Sequence, residues 1–328
     1  MKLLIETPAR LHLGLIDMNG NLGRMYGSLG VAIDRPNIVL EAELLPSGAE
    51  DGTLKVEGLE AERVAACARR FRERYPSGAP ARLCLKGGIP PHVGLGSGTQ
   101  LALAVGAVLA RLGAVTVGPP ALAQAMGRGT HSGVGIAAFQ GGGFILDGGH
   151  ALAGADHKAP PVLVQCAFPE AWRWVVVVPG APPGISGAYE ERAFRTLPPA
   201  PQGLVEQVCR RLVMQLLPAL VEQDIVAFGE ALTAIQQLVG DSFAAIQGGR
   251  FANTLSSDLI AYLLAHGAHG AGQSSWGPAV YALARDDRHG AGLLEAAQDY
   301  LASAGRGEAH LARAANHGAQ IRVLDPVT

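Results

Sequence analysis

The segment IPPHVGLGSGTQLALAV (residues 89–105) restricts the chain more than any other. Gly94, Gly96 and Gly98 alternate with larger residues, and from Thr99 the run LALAVGAVLARLG is apolar on nearly every face, as in a helix buried between layers, with Gly113 as its stop. Glycines allow successive backbone N–H groups to turn inward, and a helix start adds the positive end of its dipole. The expected result is a cradle for phosphate or pyrophosphate formed by Gly94, Gly96, Ser97, Gly98, Thr99 and Gln100. A side chain at Gly96 is expected to intrude on the anion. No lysine follows the last glycine and the spacing is G-x-G-x-G, so this is neither a Walker A loop nor a dinucleotide fingerprint. The plainer alternative is a strand-to-helix turn with glycines for packing.

With 328 residues and 48% hydrophobic content the chain can bury a large core, and we expect two domains, 1–160 and 161–328. The formal net charge of -2 gives no bulk attraction to nucleic acid or to an anionic membrane, so any polyanion must bind at a local site. The amino terminus lacks the pattern of a signal peptide and no apolar run reaches spanning length, so a cytoplasmic, membrane-free protein is expected. Cys67, Cys84, Cys166 and Cys209 form no C-x-x-C pair, which argues against a zinc ribbon or a disulfide framework.

Periodicity predicts strands over Leu3 to Glu6 and Ile38 to Leu44, joined by an irregular glycine-rich stretch, Gly14 to Gly30, that belongs to a site. Helices are expected at Glu60 to Tyr75 and Pro119 to Met126, and strands at Ala81 to Lys86 and Phe144 to Leu146. The second half predicts a strand at Trp172 to Val178, a loop at Pro179 to Gly187, and helices at Tyr189 to Arg195, Gly203 to Leu220, Asp224 to Val239 and Ser256 to Ala265. Strands at Ala279 to Arg285 and Ile321 to Leu324 flank a helix at Ala291 to Ala304, the mix of an α+β domain.

Three motifs carry a resemblance. Pro-Pro-x-x-Gly-Leu-Gly-Ser-Gly from Pro90 resembles the second signature of the GHMP superfamily of small-molecule kinases. Thr7-Pro-Ala-Arg-Leu-His-Leu-Gly-Leu resembles its first, and Gly270-Ala-Gly-Gln-Ser-Ser-Trp-Gly-Pro its third. The resemblance implies an α+β, GHMP-type two-domain fold: an N-terminal domain like domain 2 of ribosomal protein S5, a C-terminal ferredoxin-like domain, and a site in the cleft between them. Kinases of this superfamily often carry Ser-Gly-x-Asp, whose carboxylate activates the substrate hydroxyl; here the pattern is Ser132-Gly133-Val134-Gly135, without that base. The stretches ETPARLHLGLIDMNGNLGRMYGSLGVAID, GRGTHSGVGIAAFQGGGFILDGGH and GISGAYEERAF are similar to the β-ribofuranosylaminobenzene 5′-phosphate synthases, non-kinase relatives in methanopterin biosynthesis. That resemblance implies condensation of phosphoribosyl pyrophosphate with 4-aminobenzoate, release of pyrophosphate and carbon dioxide, a magnesium ion, no organic cofactor and a homodimer. An ATP-dependent small-molecule kinase and a catalytically silent binder of the same ligands are the other readings.

On that basis Arg10 is expected to face substrate phosphate and His12 to contact substrate, each against a structural alternative. Asp17 either binds magnesium, steadies a ribosyl cation or caps the turn before Asn19-Gly20. Arg24, Tyr26 and Ser28 are expected near the 5′-phosphate or the aromatic ring, or else in a surface hairpin. Arg128, His131 and Ser132 suggest a second anion nest. Gln140 and Asp147 are weaker candidates, Asp147-Gly148-Gly149 being also a good hairpin turn. Ser186, Glu190 and Glu191 sit where the second domain could close on the cleft, the glutamates either binding magnesium or ribose, with Glu190 as a catalytic candidate, or supplying first-turn charge at a helix N-terminus. Gln273, Ser274, Ser275 and Trp276 are expected on the opposite wall, with Trp276 either stacked on the aromatic substrate or a core aromatic. His266 and His269 have the wrong spacing for a helical zinc motif.

Overall fold

The computed structural model describes residues 1–46, 52–76, 79–153, 158–180, 188–304 and 306–324, the side chains of 188–190 excepted. Strands β1 (Lys2–Asp17) and β2 (Arg24–Leu44) form a long antiparallel hairpin with irregularities between Pro8 and Ala9 and between His12 and Gly14. The stretch from Gly14 to Gly30 is therefore strand for most of its length, not an irregular loop. Leu11, Leu13, Leu29 and Val31 are all fully buried, and that burial holds both strands in spite of their glycines.

The chain continues through β3 (Leu54–Gly58), α1 (Ala61–Arg74) and β4 (Ala81–Gly87), with β3 and β4 paired in parallel across the helix. Next come α2 (Ser97–Leu112), α3 (Pro119–Ala125), α4 (Val134–Gln140), β5 (Phe144–Asp147), β6 (His150–Ala151) and β7 (Val162–Cys166). Helix α2 is buried on nearly all sides, as its uniformly apolar sequence requires, and packs between α1 and the sheet. Helix α4 was not expected, because Gly133, Gly135 and Gly141 disfavour a helix locally. Burial of Val134, Ile136, Ala137, Ala138 and Phe139 overrides that preference. Gly30 makes the approach possible: a Cβ there would lie 2.4 Å from Val134 Cγ1 and 2.5 Å from the Leu11 carbonyl oxygen.

The second lobe comprises β8 (Arg173–Pro179), α5 (Ala188–Thr196), α6 (Gln202–Arg211), α7 (Leu217–Glu222), α8 (Ile225–Gln247), α9 (Thr254–Ala265), β9 (Gly270–Gln273), β10 (Val280–Ala284), α10 (Asp287–Ala304) and β11 (Gly307–Arg313). The single helix expected from Gly203 to Leu220 is divided by a π-helical turn at Leu212–Leu216, just before Pro218, which has no N–H for a regular turn. The sheet order β11-β8-β10-β9 and the alternation of strands and helices form the split β-α-β arrangement of ferredoxin-like domains. Its inner strands are covered on both faces. Trp174 and Val176 of β8 join the core shared with the first lobe, whereas Val175 and Val177 pack against Leu259 of α9 and Leu293 of α10. This explains why β8 reads as an unbroken apolar run.

The last strand, β12 (Gln320–Leu324), returns to pair with β1, and β7 pairs with β5, so the first sheet takes strands from both sides of the division at residue 160. Backbone groups at the free edges of β1 and β5 are satisfied in this way.

Replacing Gly30 by alanine should destabilise the protein by about 3 kcal/mol, because neither the Leu11 carbonyl nor α4 can withdraw freely. Urea denaturation of the variant measures this.

Candidate active site

A cleft of about 460 Å³ opens between the lobes, with the 94–98 loop as one wall. Gly96 caps α2 in a left-handed conformation (φ 82°), and its carbonyl accepts the Thr99 and Gln100 N–H groups, both at 3.1 Å. The first-turn N–H groups of Ser97 and Gly98 have no carbonyl one turn earlier in the helix to accept them, so they are available to an anion. A Cβ on Gly96 would lie 3.1 Å from Arg10 Cγ. A side chain there would press on Arg10, which faces the same cleft.

Hydrogen bonds hold this wall to both lobes. Arg10 Nη1 donates to the Gly94 carbonyl, and the Arg10 N–H donates to Leu95 O at 3.2 Å. From the second lobe, Ser274 Oγ donates to the same Gly94 carbonyl at 2.7 Å and accepts the His12 N–H at 2.9 Å. Gln236 of α8 donates to Leu13 O at 2.6 Å and accepts the Gln273 N–H at 2.9 Å. Ser274 is fully buried, so its hydroxyl fastens loop, strand and lobe together and does not meet substrate. The Gln273 side chain is likewise occupied, donating to Ser275 O and accepting the Ala252 N–H. Gln273, Ser275 and Trp276 do line the cleft, Trp276 being largely buried.

The charged side chains lining this space are all basic, although Arg63 pairs with Glu60 and Arg250 with Asp241. Arg10, Arg63, Arg128 and Arg250 face it with His12, His92 and His131, and no aspartate or glutamate stands among the described lining residues. Arg128 lies over the first turn of α2, its Nη1 3.2 Å from where a Gly98 Cβ would be. His12 is buried beside Arg10; burial, then the neighbouring guanidinium, lowers its pKa to about 3. His131 is lowered to about 4 by burial and by nearby His150, against the opposing pull of Glu191. Both rings are therefore neutral at neutral pH. The cationic part of the expected nest is Arg128, not His131.

The far end of the cleft is aromatic. His131 stacks on Phe194 of α5 with ring centres 4.1 Å apart, Phe194 meets the edge of Trp276 at 5.4 Å, and Trp276 packs on Phe243 of α8 at 4.4 Å. Tyr26 supports this group from behind, 5.1 Å from His131 and 5.5 Å from Phe194.

Other candidates lie elsewhere. Asp17 caps its turn, accepting the N–H groups of Asn19 at 2.7 Å and Gly20 at 2.9 Å. Arg24 donates to the carbonyls of Gly148 and Gly149, both at 2.9 Å, and holds the β5–β6 turn. Ser28 is buried; its hydroxyl lies 2.5 Å from Asp147 and 2.7 Å from Ser132. Asp147 also accepts the Gly133 and Gly149 N–H groups, so it organises the loop behind the cleft. Gln100 is buried and donates to Gly135 O at 2.7 Å. Gln140 is exposed at the end of α4, and Glu191 pairs with Arg195 at 3.6 Å. Ser186 and the Glu190 side chain lie outside the described residues. At Gly135, a Cβ would sit 3.1 Å from Thr99 Cγ2, so a larger residue there would require Thr99 to shift.

Magnesium does not fit the described lining, which offers no carboxylate, and no group of three metal-ligating side chains occurs among the described residues. Sequence reasoning missed Arg63, His92, Phe194, Gln236, Phe243 and Arg250. For Gln236, Val239, Gly240, Phe243 and Gln247 a signal existed, because spacings of three and four residues put them on one face of a helix.

This two-lobed α+β architecture, with a glycine-rich helix start at the cleft, defines a GHMP-type protein. Residues 62–143 match the family described as GHMP kinases N terminal domain, and 216–303 match GHMP kinases C terminal. Among solved structures, homoserine kinase from Cytophaga hutchinsonii superposes with a TM-score of 0.67 at 14% identity, covering 98% of this chain and 97% of that one. Mevalonate pyrophosphate decarboxylase from Streptococcus pyogenes gives 0.65 at 14% identity, covering 96% and 97%. Such distant likenesses establish the fold alone. Two relatives carry the name beta-ribofuranosylphenol 5'-phosphate synthase. The one from Methanothermobacter thermautotrophicus is 35% identical over 296 residues, 86% of this chain and 89% of that protein. The one from Archaeoglobus fulgidus is 33% identical over 333 residues, 98% and 100%. The chain belongs to this family of synthases within the GHMP superfamily. No helix among the described residues is long and apolar enough to cross a membrane.

Because burial lowers the His12 pKa from 6.5 to about 3, the neutral ring stabilises the fold fully above pH 6.5. That contribution is lost as pH falls from 6.5 toward 3, by up to about 1.4 kcal/mol per pH unit. Urea midpoints measured between pH 7 and 4 should therefore fall more steeply for the native protein than for His12→Gln.

Proposed function

We propose that the chain joins C1 of phosphoribosyl pyrophosphate to the ring carbon that carries the carboxylate of a para-substituted benzoate, with loss of pyrophosphate and carbon dioxide. The observation that carries this reading is a single cleft with cations and open helix N–H groups at one end and packed aromatic rings at the other. The leaving pyrophosphate gathers negative charge as its bond to C1 breaks. Arg10, Arg128 and the first-turn N–H groups of α2 are placed to receive it. The attacking atom is a ring carbon made electron-rich by its para group, so no hydroxyl has to be deprotonated before attack. A glycine at 135 is compatible with that chemistry and unfavourable for a kinase needing an aspartate there. Magnesium, in this reading, arrives on the pyrophosphate and is not held by carboxylates of the described lining.

Two para substituents fit. The amino group of 4-aminobenzoate follows from the sequence resemblance, and a hydroxyl group agrees with the phenol in the relatives' name. Both push electrons toward the carbon being substituted, and both give a product in which ribose replaces the carboxylate. Such a C-riboside suits the methanopterin-type role expected from the sequence.

The test is incubation with phosphoribosyl pyrophosphate, magnesium and carboxyl-labelled 4-aminobenzoate or 4-hydroxybenzoate. Labelled carbon dioxide and pyrophosphate should appear in equal amounts with at least one acid; release from neither overturns the reading, and ATP consumption with small alcohols instead would favour a kinase. Arg128→Ala should lower kcat/KM for phosphoribosyl pyrophosphate by about 100-fold or more, the usual effect of removing one charge-stabilising donor.

A further inference from the structure

The cleft's two ends are joined by one short segment. Arg128, over the first turn of α2, and His131, stacked on Phe194, are three residues apart, so their backbones are separated by at most about 10 Å. That spacing suits a ribose whose C1 lies between a pyrophosphate at Arg128 and an aromatic ring at Phe194 and Trp276. A ring in that pocket has His131 beside it, and His131 is a cleft-lining side chain with two nitrogens. Its Nδ1 lies 3.3 Å from Thr130 Oγ1. With Nδ1–H donating to that hydroxyl, Nε2 is left with its lone pair, the tautomer a base requires.

We propose that His131 is a catalytic base of this reaction, taking the proton from the para hydroxyl or amino group of the aromatic acceptor and returning it after decarboxylation. The proposal rests on the phosphoribosyl-transfer reading above. The ring carbon bearing the carboxylate forms its bond to ribose C1, and the C1–oxygen bond breaks with its electron pair leaving on pyrophosphate. The para O–H or N–H proton passes to His131, which converts the charged ring into a neutral dienone or its imine. The bond to carbon dioxide then breaks, its electron pair restores the aromatic ring, and the para oxygen or nitrogen recovers the proton from His131. Atoms, electrons and protons balance without an oxidant or a further reactant.

The surroundings suit a base that must begin neutral. Tyr26 of β2 presents an aromatic edge, Phe194 of α5 covers a ring face, and His150 of β6 opposes a positive charge. Glu191 of α5 is the opposing influence, stabilising the imidazolium once it forms. The lowered pKa keeps the ring unprotonated across neutral pH.

His131→Phe retains the aromatic face on Phe194 and removes both nitrogens. With the full-length protein and the acid that the wild type turns over, KM for that acid should stay within about threefold while kcat falls by about 100-fold or more. His131→Gln, which retains polarity without basicity, should lose kcat similarly, and thermal melting checks that both variants fold. Wild-type kcat should be flat from pH 6 to 8. If either folded variant keeps wild-type kcat, or if loss appears only in KM, the proposal is overturned and His131 is a stacking residue. If the wild type itself releases no labelled carbon dioxide, the underlying reading fails, and this inference with it.

Discussion

The Gly94 carbonyl accepts from Arg10 of the first sheet and from Ser274 of the second lobe, and the candidate site depends on that shared acceptor. One oxygen thereby fixes the glycine-rich loop against both halves of the molecule. The approach is close enough that a Cβ on Gly94 would stand 2.0 Å from the Ser274 carbonyl oxygen. The same serine accepts the His12 N–H, so the loop, the bulged part of β1 and the 274–277 turn form one body. An anion held by the first turn of α2 is therefore held relative to the second lobe as well, and a second reactant bound there meets it at a defined position.

Around this junction the cleft separates two chemistries. At one end Arg10, Arg128 and open helix N–H groups favour negative charge, while Arg63 and Arg250 are already paired with Glu60 and Asp241. At the other, Phe194 and a neutral His131 pack over Trp276 and Phe243, which are themselves largely buried. The GHMP framework is kept, but Gly135 carries no carboxylate, and a Cβ there would press on Thr99 Cγ2 at 3.1 Å. A cradle suited to the phosphates of a nucleotide is suited equally to a pyrophosphate leaving group, because both demand convergent N–H donors and cations. What differs is the partner surface facing it.

Much of the framework was legible in the sequence. The apolar continuity of α2, the run of β8 and the strand at β10 are properties of short segments, and they formed where periodicity placed them. The glycine-rich loop was legible because its backbone conformation is written in its residues. Less was legible where burial outweighed propensity. Helix α4 forms despite its glycines because its apolar residues fill the space over Gly30, and the Gly14 to Gly30 stretch is strand at both ends because those ends are paired in the sheet and buried there.

Side-chain roles divided along the same line. Arg10, Arg128, His12, His131 and Trp276 were recognisable as site residues from motif and residue type, and all five line the cleft. Asp17, Arg24, Ser28, Gln100 and Ser274 had equally suitable chemistry, yet each is engaged by backbone or side-chain groups away from substrate. A sequence states which donors and acceptors exist; only packing determines which are already satisfied. Conversely, Phe194 and Phe243 reach the cleft from helices about fifty residues apart in the chain, and nothing local to either announces the other. The sequence by itself determined the glycine-rich helix start, the two-lobed α+β class and the absence of a carboxylate at Gly135. The tertiary structure decided which polar groups are spent on the fold, and which aromatic rings stand opposite the cradle, because both depend on contacts between distant segments.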